Sequence, residues 1–230
     1  MAFPVTLYAE GPAEDRGADP FLPPSGQPLT ASQCGPAHEL VARLVARERS
    51  VAQAEIQFLA PAQVKGRFPR GSDLHDPRLL RRLLATTQLR RMHLALVLVD
   101  EDGDSGRRRN LIGRTTNLPG HRVIAVAVRE FESWLIADQR VLRTVLQVQA
   151  TPPAAVSMAP REAKQLLHRW IDKHLDSSDQ DLRAQQTRQL RMRIAQTIDL
   201  ATLDRQASFR RFRDDLREAL RAMNGSRHPA

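Results

Sequence analysis

At 230 residues the chain is long enough for one large domain, or for a domain with a helical extension. Its hydrophobic (41%) and charged (27%) fractions are those of a folded globular protein; no apolar run can span a bilayer, and the single cysteine excludes an internal disulfide framework or a cysteine-built zinc cluster. The net charge of +9, carried almost wholly by arginine, suits a polyanionic partner such as nucleic acid, and equally suits a solvated arginine surface.

The N-terminus has neither the basic nor the apolar region of a signal peptide, which points to the cytoplasm. Phe3–Ala9 reads as an opening strand, ended abruptly by Glu10-Gly11-Pro12. Asp15 to Pro36, rich in Gly, Pro and Ser, reads as a loop with no element of its own. Ala37 to Arg49 puts Leu40, Val41, Leu44 and Val45 on one helical face, and Glu55 to Leu59 is a short second strand. Lys65 to Asp76 is a polar connection. Pro77 to Arg91 is a helix, with Asp76 as N-cap, Pro77 in the first position and a stripe of Leu79, Leu80, Leu83 and Leu84.

His93–Val99 is a nearly unbroken apolar run, as in a strand buried on both faces of a parallel sheet, and Arg122–Val128 repeats the pattern. From Glu130 to Val148 the period becomes helical, with Phe131 and Trp134 as core residues. The order strand, helix, strand, helix, strand, strand, helix predicts an α/β layer on a mainly parallel sheet. Beyond Pro152-Pro153 the chain reads as helical, over Arg161 to Leu175, Asp181 to Ile198 and Ala207 to Met223, with Asn224 to Ala230 as a frayed tail. The expected division is an α/β domain over 1–150 and a helical extension over 151–230 packed on it. Nothing in the sequence sets an oligomeric state.

Acidic residues sit where the apolar strands stop. Glu10 follows the first strand; Asp100, Asp102 and Asp104 follow the third; Glu130 and Glu132 follow the fourth. In open parallel sheets ligands bind at the carboxyl ends of strands, so Glu10, Asp100 and Glu130 are expected to converge, and Glu10, Asp100 and Asp102 to meet at one rim. If the chain stays extended past Val99, Asp100 and Asp102 point to one side. Crowded carboxylates repel, and a hard divalent cation relieves that repulsion; oxygen-only ligation suits Mg²⁺ or Mn²⁺. The metal candidates are Glu10, Asp100, Asp102 and Asp104. The catalytic candidates are Glu10, Asp100, Asp102 and Glu130, with Glu10 either a ligand or a general base. Taken alone, Asp100 to Asp104 also suits a solvated turn, and it is no calcium loop, because Leu111 stands where the twelfth-position acid belongs. Glu132 alternatively reads as a first-turn residue favoured by the helix dipole.

These residues resemble TOPRIM domains, which carry a Glu after the first strand and an Asp-x-Asp after a later one, here Glu10-Gly11 and Asp100-Glu101-Asp102. The stretch EGPAED is similar to the signature of the nucleases named for overcoming lysogenization defect, with Glu14 in the second acidic position. The chain more closely resembles the bacterial TOPRIM-like family catalogued as domain of unknown function 4276. It does so at EGPAED (Glu10 to Asp15), LVLVDEDGD (Leu96 to Asp104), VAVREFESWLIAD (Val126 to Asp138), APREAK (Ala159 to Lys164) and SFRRFRDDL (Ser208 to Leu216). The Pro-rich stretch after Asp15 is an insertion relative to that pattern. The resemblance implies a four-stranded parallel TOPRIM-like sheet, a Mg²⁺-dependent phosphoryl-transfer site and, by association, a partner ATPase in defence against phage or plasmid DNA.

Lys164 is a candidate phosphate contact. Arg205, Arg210, Arg211 and Arg213, interleaved with Phe209 and Phe212, are candidate nucleic-acid contacts, with the phenylalanines read as packing residues. Two functions follow. One is a Mg²⁺-dependent nuclease or related phosphodiesterase acting on DNA or RNA. The other is a non-catalytic TOPRIM-like subunit that binds a partner ATPase or nucleic acid. A primase or topoisomerase does not fit, because Tyr8, the sole tyrosine, lies inside the first strand.

Overall fold

A computed structural model describes residues 2–11, 16–17, 19, 21, 23–87, 93–128, 130–149, 157–159, 161–175 and 178–225. Four strands, β1 (Phe3–Ala9), β2 (Ile56–Leu59), β3 (Leu94–Asp100) and β4 (His121–Ala127), form one sheet in the order β2-β1-β3-β4. Every neighbouring pair is parallel. The α/β fold expected from the strand pattern, a four-stranded parallel sheet flanked by helices, is the fold found.

The near-continuous apolar runs follow from burial on both faces. Val5, Leu7, Leu94, Leu96, Leu98, Val123 and Ala125 point to one side, and Tyr8, Ala95, Val97, Val99 and Ile124 to the other. The second face is covered by Leu74 of α2 (Gly71–His75), Leu80, Leu83 and Leu84 of α3 (Pro77–Thr87), and Leu111 of α4 (Arg107–Thr115). The first face packs on α1 (Pro36–Arg49), and past α5 (Glu132–Leu135) on α6 (Gln139–Leu146), α7 (Glu162–Asp172), α8 (Gln180–Thr197), α9 (Leu200–Leu203) and α10 (Ala207–Gly225). Helices after residue 161 thus share one apolar cluster with the sheet. Polar ties reinforce the packing: the Arg43 guanidinium donates to the carbonyls of Ala195 (2.5 Å) and Ile198 (2.6 Å) at the end of α8, and Arg47 pairs with Asp204 at 3.2 Å.

Three elements differ from expectation. The chain between β3 and β4 forms α4, since two parallel neighbours cannot be joined without a crossover. The polar connection before Asp76 contains the single turn α2. The helical stretch after Glu130 is broken, because the Asp138 carboxylate accepts the Arg140 N–H at 3.0 Å and starts α6 afresh. Asp76 caps α3 as expected, accepting from Arg78 N at 2.9 Å and Leu79 N at 3.3 Å. Glu14, the expected end of α3 over Gln88 to Arg91, Pro152-Pro153 and the tail after Gly225 lie outside the described residues.

The Pro-rich stretch before α1 forms no strand or helix among its described residues, yet it is ordered by pairing. Gly17 N donates to Gln33 O at 3.0 Å and Asp19 N to Ser32 O at 2.9 Å. Farther along, Gly26 N donates to Ala60 O, Ala60 N to Gln27 O, and Leu29 N to Phe58 O, each at 2.8 Å. The segment therefore runs antiparallel along the outer edge of β2.

Candidate carboxylate site at the strand ends

Because β1 and β3 are parallel neighbours with Ala9 opposite Leu98, their carboxyl ends lie side by side. Glu10 follows one and Asp100 ends the other. One oxygen of Glu10, Oε2, accepts the backbone N–H of Asp100 at 2.7 Å. The same oxygen lies 3.3 Å from Nε2 of His75, in the last turn of α2. Gly71, at the start of that turn, packs so closely on Glu10 that a Cβ there would come within 2.7 Å of its Cγ and 2.8 Å of its Cδ. A short glycine-started turn thus closes over the Glu10 carboxylate.

Asp100 is buried, and its Oδ1 accepts the N–H of Phe131 at 2.7 Å. This bond ties β3 to the segment leaving β4. Burial is the largest cause raising the Asp100 pKa; the charges of Glu10, Glu132 and Asp102 add to it, against the opposing Phe131 N–H. Among the described residues no Lys, Arg or His side chain pairs with this carboxylate.

Asp102 and Asp104 are placed differently. Asp102 adopts a left-handed backbone (φ +48°) in the turn after β3 and is largely exposed, with Oδ2 3.2 Å from NH1 of Arg107. The Arg107 guanidinium also donates to the Asp100 carbonyl and lies 3.9 Å from Asp104. Asp104 is exposed and accepts the Gly106 N–H at 3.0 Å, as a turn-forming Asp does. The turn at Asp102 means that the chain does not stay extended past Asp100.

Glu130 is buried and turned toward α7, where its Oε2 accepts the Lys164 N–H at 2.9 Å. Its pKa is raised by burial, eased by that N–H, and raised further by Glu132. Lys164 itself is exposed, at the first turn of α7. Glu132, not Glu130, is the glutamate whose charge bears on Asp100. Glu132 forms a buried ion pair with Arg191 of α8, Oε1 to NH2 at 2.8 Å. Among the described residues its Oε2, and Nε and NH1 of Arg191, have no hydrogen-bond partner.

Nothing in the sequence singles out Arg107, His75 or Arg191. Arg107 opens a run of three arginines that offers no means of choosing among them, and His75 and Arg191 come from elements with no acidic motif. Of the basic residues, Arg205, Arg210 and Arg211 are exposed. Arg213 is engaged by Asp204 at 3.1 Å and Asp214 at 2.8 Å. Phe209 and Phe212 are buried against Trp134, which donates from Nε1 to Ser208 Oγ at 3.0 Å.

Whether a divalent ion fits can be judged from the donors. They are carboxylate oxygens with one imidazole nitrogen beside them, His75 Nε2 at 3.3 Å from Glu10 Oε2; among the described residues Glu132 Oε2 is buried without a partner, and the Asp100 carboxylate has other carboxylates near it and no paired cation. Among the described residues no three His, Cys, Asp or Glu side chains close around one point. Mg²⁺ does not require such a cage, since it keeps several waters and is bound by one or two carboxylates together with substrate phosphates. The residues fit an open site of that kind.

No helix among the described residues is long and apolar enough to cross a membrane. No family model and no curated protein matches the chain. Among solved structures, the C-terminal region of the Xanthomonas campestris pv. campestris OLD protein aligns with 99% of this chain and 98% of its own, at 16% identity and a TM-score of 0.39.

Proposed function

We propose that the chain is a Mg²⁺- or Mn²⁺-dependent nuclease or related phosphodiesterase, with the ion held by Asp100 and Glu10 and assisted by Asp102. The observation that carries this reading is the junction of Glu10 and Asp100 at the ends of adjacent strands, where the buried Asp100 carboxylate lies among others with, among the described residues, no cationic side chain paired to it. When bound, such an ion polarises a phosphoryl oxygen and lowers the pKa of an attacking water. Glu10, bonded to the Asp100 N–H through Oε2, would offer Oε1, which lies against Gly71, to the ion or to a water proton. Lys164, Arg205, Arg210 and Arg211 are exposed cations suited to phosphates. Following the resemblance in the strand-end motifs, the chain acts as the effector partner of an ATPase in defence against phage or plasmid DNA.

Two observations favour a second reading, a non-catalytic subunit. Arg107 already supplies a cation to Asp102 and to the Asp100 carbonyl, and no three-donor cage exists among the described residues.

The test is cleavage of labelled DNA and RNA with Mg²⁺, Mn²⁺ or EDTA, with and without the ATPase, beside Mn²⁺ binding by electron paramagnetic resonance. Asp100→Asn keeps the Oδ1 acceptor for Phe131, so the fold should persist while cleavage and Mn²⁺ binding are lost. Cleavage that survives both EDTA and this substitution would sink the metal mechanism. Absence of both Mn²⁺ binding and cleavage would establish the second reading.

A further inference from the structure

The first turn of α4 carries the wrong charge for its position. Arg107, Arg108 and Arg109 open the helix with no acidic residue among them, so three cations sit where the helix dipole favours anions. Each arginine is accommodated differently. Arg108 pairs with Asp215 of α10 at 2.5 Å. Arg109 is exposed and makes no ion pair among the described residues. Arg107 turns back to the carboxylate rim. Its NH1 donates to the Asp100 carbonyl and lies 3.2 Å from Asp102 Oδ2, while its Nε lies 3.9 Å from Asp104.

The two partners of NH1 are unlike. The Asp100 carbonyl is backbone at the end of β3, where the sheet fixes it. The Asp102 side chain is 42% exposed, on a residue with left-handed backbone, and an ion pair to so exposed a partner contributes little. Arg107 thus has a firm anchor on one residue of the strand-end site and a loose partner in another. A guanidinium and a divalent ion repel each other, so Asp102 cannot serve both at close range. A Mg²⁺ ion at an open site is held by one or two carboxylates together with substrate phosphates, and phosphate is the anion that a guanidinium fork accepts best.

We propose that Arg107 is an exchangeable counter-ion: it occupies Asp102 in the free protein, gives that carboxylate up to the divalent ion, and passes to the substrate phosphate. Its bond to the Asp100 carbonyl keeps it at the rim throughout. The proposal rests on the strand-end reading and deepens it. Arg107 weakens metal binding by the free protein, and a phosphate that accepts Arg107 removes that competition. Metal and phosphate therefore tighten each other, and by linkage they do so equally. Arg107, which on its own speaks for an inactive site, becomes the part that makes metal loading depend on substrate.

The experiment measures Mn²⁺ affinity of the full chain by electron paramagnetic resonance, with and without dTMP, a phosphate that offers no phosphodiester bond to cleave. Without dTMP, Arg107→Gln should bind Mn²⁺ about threefold to tenfold more tightly than wild type. Arg109→Gln removes the same charge from the same turn without touching Asp102, and should change the affinity by less than about twofold. The phosphate's own bond to the ion should let dTMP tighten Mn²⁺ in every protein, but by about tenfold more in wild type than in Arg107→Gln. Thermal melts exclude a loss of fold. A second measurement needs no variant: Mg²⁺ should move the guanidinium nitrogen resonance of Arg107 in the wild-type spectrum and leave that of Arg109 in place. The proposal is overturned if Arg107→Gln binds Mn²⁺ no more tightly than wild type, if Arg109→Gln matches it, or if dTMP acts equally on wild type and Arg107→Gln. Should none of the proteins bind Mn²⁺, the strand-end reading itself has failed. Should all bind it with one affinity, that reading stands and only the exchange at Arg107 is lost.

Discussion

The carboxylate of Glu10 accepts the backbone N–H of Asp100 at 2.7 Å, joining two strand ends that stand 90 residues apart in the sequence. One side chain therefore has two duties, one to the sheet and one to the rim. Glu10→Gln retains an oxygen acceptor while removing the charge, and should lower metal-dependent cleavage on the order of a thousandfold with little change in Tm. Glu10→Ala should lose about 1–3 kcal/mol of stability in addition, since the Asp100 N–H is left without its partner. Parallel cleavage assays and urea unfolding separate the two effects.

Gly71 tests how tightly that carboxylate is held. A methyl group at this position meets Glu10 Cγ and Cδ inside van der Waals distance, so Glu10 must move and its bond to Asp100 must stretch or break. Gly71→Ala should reduce stability by about 1–2 kcal/mol and reduce activity at the same time. A variant with wild-type stability and activity would show that Glu10 has freedom the geometry denies it.

Among the described residues the buried pair of Glu132 and Arg191 leaves three polar atoms without partners, and removing one member alone strands the other charge. Glu132→Gln or Arg191→Met should each cost roughly 3–5 kcal/mol, whereas the double variant should recover a large part of the loss. A double-mutant cycle by urea unfolding measures the coupling. Simple additivity would mean that the two charges are screened from each other.

His38 sets a pH dependence of stability. Its Nδ1 accepts the Gly35 N–H at 3.2 Å, its Nε2 is buried without a partner, and burial pulls its pKa down to about 3. Unfolded, the imidazole titrates near 6.5. As pH falls below that value the unfolded state binds a proton that the folded state does not, so stability is full above about pH 6.5 and declines toward about pH 3. The loss should be about 1.4 kcal/mol per pH unit within that window. The difference between wild type and His38→Phe in unfolding between about pH 6.5 and 5 isolates it; equal slopes would contradict the buried, neutral assignment.

The arginines of α10 divide by their partners. Arg210 and Arg211 are exposed, so replacing both with Gln should weaken nucleic-acid binding and lower the slope of log K against log salt by about 1.8 on duplex DNA. Arg213 is held by Asp204 and Asp214, so Arg213→Gln should leave the slope nearly unchanged. Filter binding across a salt series decides the matter, and an effect of Arg213→Gln equal to that of the pair would refute the division.

Much of the fold is legible in the sequence. The unbroken runs ending at Asp100 and Val128 mark strands buried on both faces, and the abrupt stop at Glu10 marks a third strand end. What pattern does not supply is the direction of side chains beyond those ends. Asp100 and Asp102 part company because the chain turns left-handed at Asp102, and a two-residue spacing does not reveal that turn. Glu130 and Glu132 look interchangeable in sequence, yet one caps α7 and the other meets Arg191 from 59 residues away. The helix at Arg107–Thr115 shows no apolar period, because its arginines and Asn110 leave too few apolar positions; only the demand for a crossover between parallel neighbours requires it.

The pairing of residues 26–29 with β2 makes the sheet lopsided in what it can recruit. On that flank the carbonyl of Phe58 and both the N–H and the carbonyl of Ala60 are already spoken for, by a stretch whose composition marks it as an excursion. A chain shortened by removing residues 16–35 would lose more than surface. It would bare a row of unsatisfied amides and carbonyls beside an apolar core, which is the template on which one molecule begins to add to the next.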